Sequence, residues 1–477
     1  MQFKWVWVLR FVTIAALCAG LVIGLRVVRQ HASAVARSKA APTMTTVTVN
    51  PSAPIVGELS DRYIGLSFEN ATLNTGAFDD VGNLVPLLKN LGSSILRFGG
   101  ISADLSSGIS TDTLAGLARV AKASGWKVIY TENLASYDPV AVTAYAQEVS
   151  AALGTSLFAL SCGNEADQYR WKKLRPRSFN ESDFLGDATS CLNAIRAGAP
   201  NTPLEGPDLA STNWLAKYAR QEAGDVNWLG VHYYPLGCNK VTSSQTHQQL
   251  ANTLLAPGTI NFEARTFQQY AADARTAHAQ PMMTETNTAC AGGVSGLSDT
   301  YSTALWAIHF LLTGAENGIA AMNFHGGLDG NCGGYTPLCQ IGANMYAPKP
   351  VYYGLLFTHL LGSGHLLPVT VHKINRSENI AVFAVKPLDG SGMRLMVENL
   401  SGHQTTIALR VGVNRGLASV LHLTGPGLLA TSGVKVQGAT VARNGSFKPG
   451  QADTIRCSAG SCVLTLKPFT AAVVTLP

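Results

Sequence analysis

Residues 60–362 alternate short apolar segments with amphipathic ones, and this alternation restricts the possible folds more than any other feature of the chain. The apolar segments have the length of strands and lie at 63–68, 94–98, 127–131, 157–161, 203–206, 228–231, 281–284 and 319–324. Between them, apolar residues recur with helical periodicity at 112–124, 139–153, 182–197 and 298–313. Eight strand–helix units predict a (β/α)8 barrel. A doubly wound sheet is the alternative, but no G-x-G-x-x-G sequence follows the first strand.

The pattern changes from about residue 373. Segments 381–385, 395–397, 405–409 and 463–465 are short and rich in β-forming residues, with Gly, Asn and Ser between them. Such segments are typical of antiparallel strands, and they predict a β-sandwich over residues 363–477. Residues 45–49 have the same β pattern ahead of the barrel, so we expect segment 41–59 to add a strand to the sandwich. The predicted fold class is therefore α/β, a (β/α)8 barrel with a C-terminal antiparallel β-sandwich.

Residues 1–40 contain basic residues and no acidic one, and they account for the whole formal charge of +6. The stretch 11–25 is apolar and uncharged, and Ala32-Ser33-Ala34 and Ala34-Val35-Ala36 resemble cleavage sites. The stretch is shorter than the roughly 20 residues that a bilayer span needs, so we expect a signal peptide and an exported protein. An uncleaved N-terminal membrane anchor is the alternative. Basic and acidic residues balance in the remaining chain, so we expect no nucleic-acid partner.

The cysteines agree with export. Of the nine, Cys18 lies in the predicted export segment, and the even number that remains is typical of a disulfide framework in an oxidising compartment. The expected pairs are Cys332–Cys339 and Cys457–Cys462 from their short spacing, and Cys162–Cys191 and Cys238–Cys290 from strand order. No C-x2-C pair or His-x3-His spacing occurs, so we expect neither a metal site nor a cofactor.

Two predicted strands end in a glutamate. Asn164 and Glu165 follow the fourth strand, and Glu285 follows the seventh. The carboxyl ends of barrel strands carry the active site, so the two carboxyl groups should lie near each other. A retaining glycosidase needs this pair, with one group as acid/base and the other as nucleophile about 5 to 5.5 Å away. The amide of Asn164 could bind the sugar hydroxyl next to the reacting carbon.

Several motifs, taken in order, resemble glycoside hydrolase family 79, the heparanase and β-glucuronidase group. They are Leu96-Arg97-Phe98-Gly99-Gly100 with Asp104, Cys162-Gly163-Asn164-Glu165, His232-Tyr233-Tyr234, Thr284-Glu285-Thr286, Gly292-Gly293, Leu297-Ser298-Asp299-Thr300, and Gly333-Gly334-Tyr335 ahead of 352–356. The resemblance implies that Glu165 is the acid/base, that Glu285 is the nucleophile and that the substrate is a β-linked glucuronide.

The resemblance also implies how the sugar carboxylate is recognised. Backbone N–H groups of Ala291, Gly292 and Gly334 and the hydroxyl of Tyr335 would bind it. Neutral donors suffice for this purpose, which agrees with the balanced charge. Cys290 departs from the pattern, because the family has an aromatic residue, usually tyrosine, at this position. A glycosidase for a neutral sugar of the xylose type is therefore an alternative.

Other residues at the strand ends have two interpretations each. Arg97 either anchors the barrel and orients Glu285, which we favour, or contacts substrate. Tyr233 either lies in the core or donates to the nucleophile, which we favour because such a bond would keep Glu285 ionised. Glu69 and Asp104 either bind sugar hydroxyls or cap loops. His325 is expected to be structural.

Segment 170–177 contains five cations in eight residues and follows Glu165 closely. It should overhang the leaving-group side of the cleft, where an acidic polysaccharide could bind, or it is a solvated loop. Together these features predict a monomeric retaining exo-β-glucuronidase that acts on glucuronic-acid-containing oligo- or polysaccharides. An endo-acting heparanase-like enzyme and a non-catalytic carbohydrate-binding surface protein are the other hypotheses.

Overall fold

The computed structural model describes residues 44–79, 81–105, 108–238, 245–412 and 415–476. The predicted export segment, residues 1–40 with Cys18, lies outside the described residues. In the part that is described, none of the helices combines the length and the apolar character needed to cross a membrane. The described chain begins with two short strands, β1 (Thr45–Val49) and β2 (Gly57–Leu59), which lie outside the barrel sheet.

Eight parallel strands form the barrel, as predicted. They are β3 (Ile64–Glu69), β4 (Ile95–Gly99), β5 (Lys127–Glu132), β6 (Leu157–Cys162), β7 (Glu205–Leu209), β8 (Trp228–Tyr233), β9 (Gln280–Thr286) and β10 (Ala321–His325). Each strand pairs with its neighbour in the order β6-β5-β4-β3-β10-β9-β8-β7. An isolated parallel bridge between Leu160 and Leu204 closes the ring between β6 and β7.

The interior of the barrel is apolar at one end and polar at the other. Ile95, Ile129, Ala159, Met282 and Ala321 form a separate apolar cluster that contains no helix residue and therefore fills the barrel itself. Because side chains alternate along a strand, the residue two positions later on each strand faces inward as well. Those residues, buried and polar, are Arg97, Thr131, Ser161, Thr284 and Asn323. The inward face thus becomes polar toward the carboxyl ends of the strands, where the predicted site lies.

Helices surround the barrel. The helices are α1 (Leu84–Lys89), α2 (Thr111–Ser124), α3 (Pro139–Leu153), α4 (Glu181–Gly198), α5 (Leu215–Gln221), α6 (His247–Leu254), α7 (Pro257–Ala277), α8 (Tyr301–Glu316) and α9 (Pro350–Leu361). Short 3-10 turns lie at Asn70–Thr75, Ile101–Asp104, Gly154–Ser156 and Ala166–Gln168. Helix α8 is buried on all sides except at its last residue, which agrees with its nearly continuous apolar sequence.

The C-terminal part is the predicted antiparallel sandwich. A hairpin of β11 (Leu338–Gly342) and β12 (Met345–Pro348) precedes it. Its strands are β13 (Gly364–Leu367), β14 (Val369–His372), β15 (Ile380–Pro387), β16 (Met393–Asn399), β17 (Thr405–Arg410), β18 (Arg415–Thr424), β19 (Lys435–Val436), β20 (Asp453–Ser458), β21 (Ser461–Leu466) and β22 (Thr470–Leu476). They form one large sheet, in which β1 lies between β14 and β17 and β2 pairs with β13. This sheet curls around its own apolar core.

Helix α8 joins the barrel to the sandwich. The backbone N–H groups of Tyr301 and Ser302 donate to the carbonyls of Ala430 and Leu428, and the Tyr301 hydroxyl donates to the carbonyls of Leu423 and Phe469. No side chain caps this helix end. Carbonyl groups of the C-terminal part therefore satisfy donors that the first turn of a helix leaves unpaired.

All four expected disulfides are present, namely Cys162–Cys191, Cys238–Cys290, Cys332–Cys339 and Cys457–Cys462. Such a number is typical of an extracellular or secreted protein. The Cys162–Cys191 bond ties the end of β6 to α4, and the Cys238–Cys290 bond ties the loop after β8 to the loop after β9. Two of the four disulfides thus brace loops at the carboxyl end of the barrel.

Candidate active site

Arg97 lies at the centre of the polar end of the barrel and is fully buried. Its Nη1 donates to Oε2 of Glu285 at 2.8 Å, and its Nη2 donates to Oδ1 of Asn164 and Oδ2 of Asp208, both at 2.8 Å. Three strand ends are therefore held by one guanidinium group. The predicted role of Arg97 in orienting Glu285 is confirmed.

Glu285 is buried at the end of β9 with both carboxylate oxygens occupied. Oε2 accepts from Arg97, and Oε1 accepts from the hydroxyl of Tyr234 at 2.7 Å. Burial alone would raise the pKa of Glu285, but His325, His232 and Arg97, together with the Tyr234 hydrogen bond, hold it well below its usual range. The carboxylate is therefore ionised and fixed in orientation, as a nucleophile requires.

Glu165 lies opposite Glu285 and is partly open to the cleft, with 17% of its side chain exposed. Its backbone is left-handed, and its N–H donates to the carbonyl of Asp208 at 2.7 Å. Oε1 lies 3.1 Å from Nδ1 of His232, and Oε2 accepts from Nζ of Lys172 at 2.5 Å. Burial would raise the pKa of Glu165, but His232 and Lys172 outweigh burial and the repulsion from Glu285, so the pKa is lowered. One oxygen of Glu165 and one of Glu285 lie within 4.8 Å of each other.

Asp208 is a site residue that the sequence analysis missed. It ends β7, is fully buried, and accepts from Arg97 and from the hydroxyl of Thr284. Its Oδ1 lies 3.6 Å from Nε2 of His232. The fifth strand is predicted to end at residue 206, because Gly206-Pro207 is typical of a turn, so Asp208 lies beyond the predicted strand end.

His232 bridges the acidic residues of the site. Its Nδ1 faces Glu165 and its Nε2 faces Asp208. Burial would lower the pKa of His232, but Glu285, Asp208 and Glu165 raise it to about 10. The imidazole is thus positively charged over the neutral pH range and can donate from both nitrogens.

The favoured role of Tyr233 is wrong, and its neighbour has that role instead. The Tyr233 ring packs against Phe267 and Phe310, with ring centroids 5.9 and 6.0 Å away. The hydroxyl that donates to Glu285 belongs to Tyr234. Because strand side chains alternate, His232 and Tyr234 point toward the barrel mouth and Tyr233 points to the helices.

Asp104 organises loops. Its carboxylate accepts from the N–H groups of Leu134, Ala135 and Asn164 and from the hydroxyl of Tyr169. Burial raises the pKa of Asp104 to about 6 against the opposing effect of these donors. Four protein donors already bind this buried carboxylate, so the structure does not support its predicted contact with sugar. Asp104 instead caps loops, which was the alternative interpretation.

Asn164 links Asp104 to Arg97. Its backbone N–H donates to Asp104, while its Oδ1 accepts from Arg97. Among the described residues, no hydrogen bond from its Nδ2 occurs, so this amide hydrogen-bond donor is available to a ligand.

The residues predicted to bind the sugar carboxylate lie together beside Glu285. Gly292, Gly334 and Tyr335 line a depression of about 160 Å3, together with Glu69 and His325. Tyr335 stacks on Tyr234 with ring centroids 6.2 Å apart, and its own N–H donates to the carbonyl of Gly292. Within the described part of the chain, the N–H groups of Ala291, Gly292 and Gly334 make no backbone hydrogen bond.

Two further residues around this depression bear on the predictions. Glu69 accepts from the N–H and the hydroxyl of Ser102, so it caps a loop and also borders the depression. Cys290 has no free thiol, because it is bonded to Cys238.

Another glutamate, Glu132, ends β5. It is buried in the outer layer with Tyr130, at the edge of a separate pocket of about 700 Å3 that Tyr145 also lines. Burial raises the pKa of Glu132 to about 8.

Acidic and basic side chains lie close together at the centre of the site. Three acidic side chains, Glu165, Asp208 and Glu285, face three basic ones, Arg97, His232 and Lys172. Glu165, His232 and Glu285 are close enough together to surround an ion. However, Arg97 already contacts one oxygen of Glu285, and Lys172 already contacts one oxygen of Glu165. A divalent cation would be repelled by three cations, so we interpret the cluster as a pair of carboxylates held by ion pairs.

The fold and the site define a (β/α)8 barrel with a C-terminal β-sandwich and two facing glutamates at the barrel mouth. No family model matches the chain. The chain is 25% identical over 282 residues to a β-glucuronidase of Neurospora crassa, which covers 53% of this chain and 50% of that protein. The chain thus spans about half the length of that curated relative.

Solved structures share the fold. A 4-O-α-L-rhamnosyl-β-D-glucuronidase from Fusarium oxysporum 12S has a TM-score of 0.74 and 21% identity, covering 90% of this chain and 100% of that chain. A family 51 arabinofuranosidase from Xanthomonas axonopodis pv. citri has a TM-score of 0.67 and 13% identity, covering 91% and 99%. An α-L-arabinofuranosidase from Thermotoga maritima has a TM-score of 0.66 and 15% identity, covering 90% and 99%. The chain is therefore similar to glycoside hydrolases in sequence and in fold, and its assignment to family 79 stays a prediction.

Proposed function

We propose that the protein is a retaining β-glucuronidase that removes terminal glucuronic acid from oligo- or polysaccharides. The observation that supports this proposal best is the geometry of the two glutamates. Their nearest oxygens lie within 4.8 Å, which suits the short separation of a retaining site and is less than the roughly 6.5 Å or more that an inverting site needs for its water. Their surroundings also differ, as two different roles require.

In the proposed reaction, a carboxylate oxygen of Glu285 attacks the anomeric carbon while Glu165 donates a proton to the departing glycosidic oxygen. The bond between sugar and leaving group breaks, and a glycosyl ester forms on Glu285. Water then attacks the same carbon, Glu165 recovers a proton from that water, and the ester bond breaks. Arg97 and Tyr234 hold the nucleophile in position in both steps. These steps require only side chains that the site contains.

The sugar carboxylate would bind in the depression beside Glu285. The N–H groups of Ala291, Gly292 and Gly334, which make no backbone hydrogen bond in the described part of the chain, and the hydroxyl of Tyr335 are the donors that support this part of the proposal. The Nδ2 of Asn164 would bind the hydroxyl next to the reacting carbon. The similarity to the Neurospora crassa β-glucuronidase favours the same sugar.

A glycosidase for a neutral sugar is the second candidate, because two carboxylates, those of Glu69 and Asp329, line the same depression. Their negative charge would oppose a sugar carboxylate, and the disulfide-bonded Cys290 supplies no hydroxyl to offset it. The four disulfides agree with the proposal that the enzyme works outside the cytoplasm.

The test compares 4-nitrophenyl β-glucuronide, β-xyloside and α-L-arabinofuranoside as substrates of the purified protein. We expect the glucuronide to be hydrolysed with the highest kcat/KM. Preference for either neutral glycoside would favour the second candidate, and turnover of none of the three would contradict both.

Two variants test the roles of the glutamates. Glu285→Ala should lose activity on every substrate, whereas Glu165→Ala should keep the first step for 4-nitrophenyl glycosides, whose leaving group needs no proton. Added azide should then rescue Glu165→Ala and yield a β-glycosyl azide. Equal loss on activated and unactivated substrates, without rescue, would contradict the assignment.

A further inference from the structure

The contacts of Glu165 favour the wrong charge state for the first step. Glu165 must carry a proton to donate one, yet Lys172 lies 2.5 Å from its Oε2 and His232 lies 3.1 Å from its Oε1. The other charged or titratable groups that face Glu165 are Glu285 and Tyr234. The two cations keep the Glu165 carboxylate ionised, so one of them must move before Glu165 can act as an acid.

Lys172 is the cation that can move. Arg97 and His232 are buried and hold other carboxylates, whereas the Lys172 side chain is 26% exposed and, among the described residues, forms an ion pair with Glu165 alone. A lysine ammonium is a compact charge on a flexible chain, unlike a guanidinium group fixed by several hydrogen bonds. Its displacement from Glu165 would break one ion pair and would leave the rest of the site unchanged.

The surroundings of Lys172 indicate what would displace it. Arg170, Lys173 and Arg177 are exposed on the same loop and form no ion pair in the described part of the chain, while Arg175 is paired with Asp187. Trp171 is 69% exposed, with the Arg170 guanidinium 4.7 Å from its ring centre. An acid that protonates the leaving-group oxygen must contact that oxygen. Because this loop contacts Glu165 through Lys172, it borders the leaving group. Unpaired cations beside an exposed aromatic ring suit an acidic sugar.

We propose that Lys172 couples the acid function of Glu165 to the charge of the leaving group. An anionic group on the leaving sugar draws the ammonium away from Glu165, and Glu165 then takes up a proton from solvent and donates it to the glycosidic oxygen. The enzyme is thereby selective for acidic leaving groups through the chemical step as well as through binding. This inference rests on the proposed glucuronidase function and makes Lys172 a positioning and specificity-determining residue.

The experiment uses the full chain and two substrates, phenyl β-glucuronide and 3-carboxyphenyl β-glucuronide. Their leaving phenols have similar acidity and differ in the negative charge. The parent enzyme should prefer the carboxyphenyl substrate in kcat/KM. Lys172→Met should lower this preference by roughly tenfold, as expected for loss of a partly desolvated charge pair, and should extend activity on the phenyl substrate to higher pH.

Arg177→Met is the matched control, because it removes a cation from the same loop without touching Glu165. It should leave the pH profile on the phenyl substrate unchanged. The proposal is overturned if Lys172→Met keeps the parental preference and pH profile, or if Arg177→Met alters both to the same extent.

A second measurement does not depend on the substrate. With glutamate 13C-labelled at the carboxyl carbon, and the Glu165 signal assigned through Glu165→Gln, an NMR titration reports the pKa of Glu165 directly. It should be higher in Lys172→Met than in the parent, and an unchanged value overturns the role of Lys172. If the parent hydrolyses no glucuronide, the proposed function fails, and the titration still decides whether Lys172 controls Glu165.

Discussion

Removal of the Tyr234 hydroxyl is the most direct test of how the proposed nucleophile, Glu285, is held. This hydroxyl donates to Oε1 of Glu285 at 2.7 Å, whereas the adjacent Tyr233 packs on Phe267 and Phe310. Tyr234→Phe removes one oxygen atom and leaves the buried Oε1 without this donor. Tyr233→Phe makes the same chemical change one residue away, on the opposite side of the strand, and is therefore a matched control.

The magnitude follows from the kind of bond that is lost. A hydrogen bond to a charged group contributes about 1.5 to 3 kcal/mol, and about 1.4 kcal/mol corresponds to a factor of ten in rate. We therefore expect Tyr234→Phe to lower kcat/KM for 4-nitrophenyl β-glucuronide by roughly tenfold to a hundredfold. Tyr233→Phe should change it by no more than about twofold, since surface and packing substitutions that remove no such bond have small effects.

The pH dependence gives a second readout with a defined sign. The Tyr234 bond helps to hold the pKa of Glu285 below its usual range, so its removal should raise that pKa. Activity requires ionised Glu285, and the acidic limb of kcat/KM should therefore move to higher pH in Tyr234→Phe. Equal effects of the two substitutions, or a Tyr234→Phe variant with parental kcat/KM and parental acidic limb, would refute this account of the nucleophile.

Three other outcomes can be measured. Tyr335→Phe should lower kcat/KM roughly tenfold to a hundredfold for an aryl β-glucuronide and leave an aryl β-xyloside nearly unchanged, because one bond to the sugar carboxylate is lost; equal losses would mean that Tyr335 only packs the cleft. Proton NMR in the first minutes of hydrolysis should show the β anomer, and initial release of the α anomer would exclude retention. Arg97→Lys should lower kcat by at least about a hundredfold while circular dichroism stays parental, since an ammonium group cannot span Glu285, Asn164 and Asp208 together; near-parental kcat would show that charge alone suffices.

The barrel was predictable because its periodicities are clear. Parallel strands are buried on both faces and read as continuous apolar runs, while the helices keep their own period. The strand that was least well placed is β7, predicted at 203–206 and found at Glu205–Leu209. Gly and Pro usually interrupt strands, so the local sequence predicts that the strand ends at Gly206-Pro207. In the structure, pairing with β8 continues the strand to Leu209. Asp208 was missed for this reason.

The site was partly predictable because the ends of the barrel strands were mostly predictable. The strand ends indicated Glu165, Glu285 and Asn164, because motif and strand position point to the same residues. The choice between Tyr233 and Tyr234 depends on which face of β8 each one occupies, and a shift of one residue reverses the answer. The contact of Lys172 with Glu165 depends on the path of a loop, and sequence periodicity does not predict the path of a loop.

The hydrogen bonds at the start of α8 make the barrel depend on the C-terminal sandwich. The loop that carries Ala291 and Gly292 runs into this helix, and carbonyl groups of Leu428 and Ala430 complete its first turn. A protein truncated before β13 would leave these donors unpaired and would remove part of the packing around a buried helix. We infer that barrel and sandwich melt in one cooperative transition, and that the sandwich keeps the loop that carries Ala291 and Gly292 ordered.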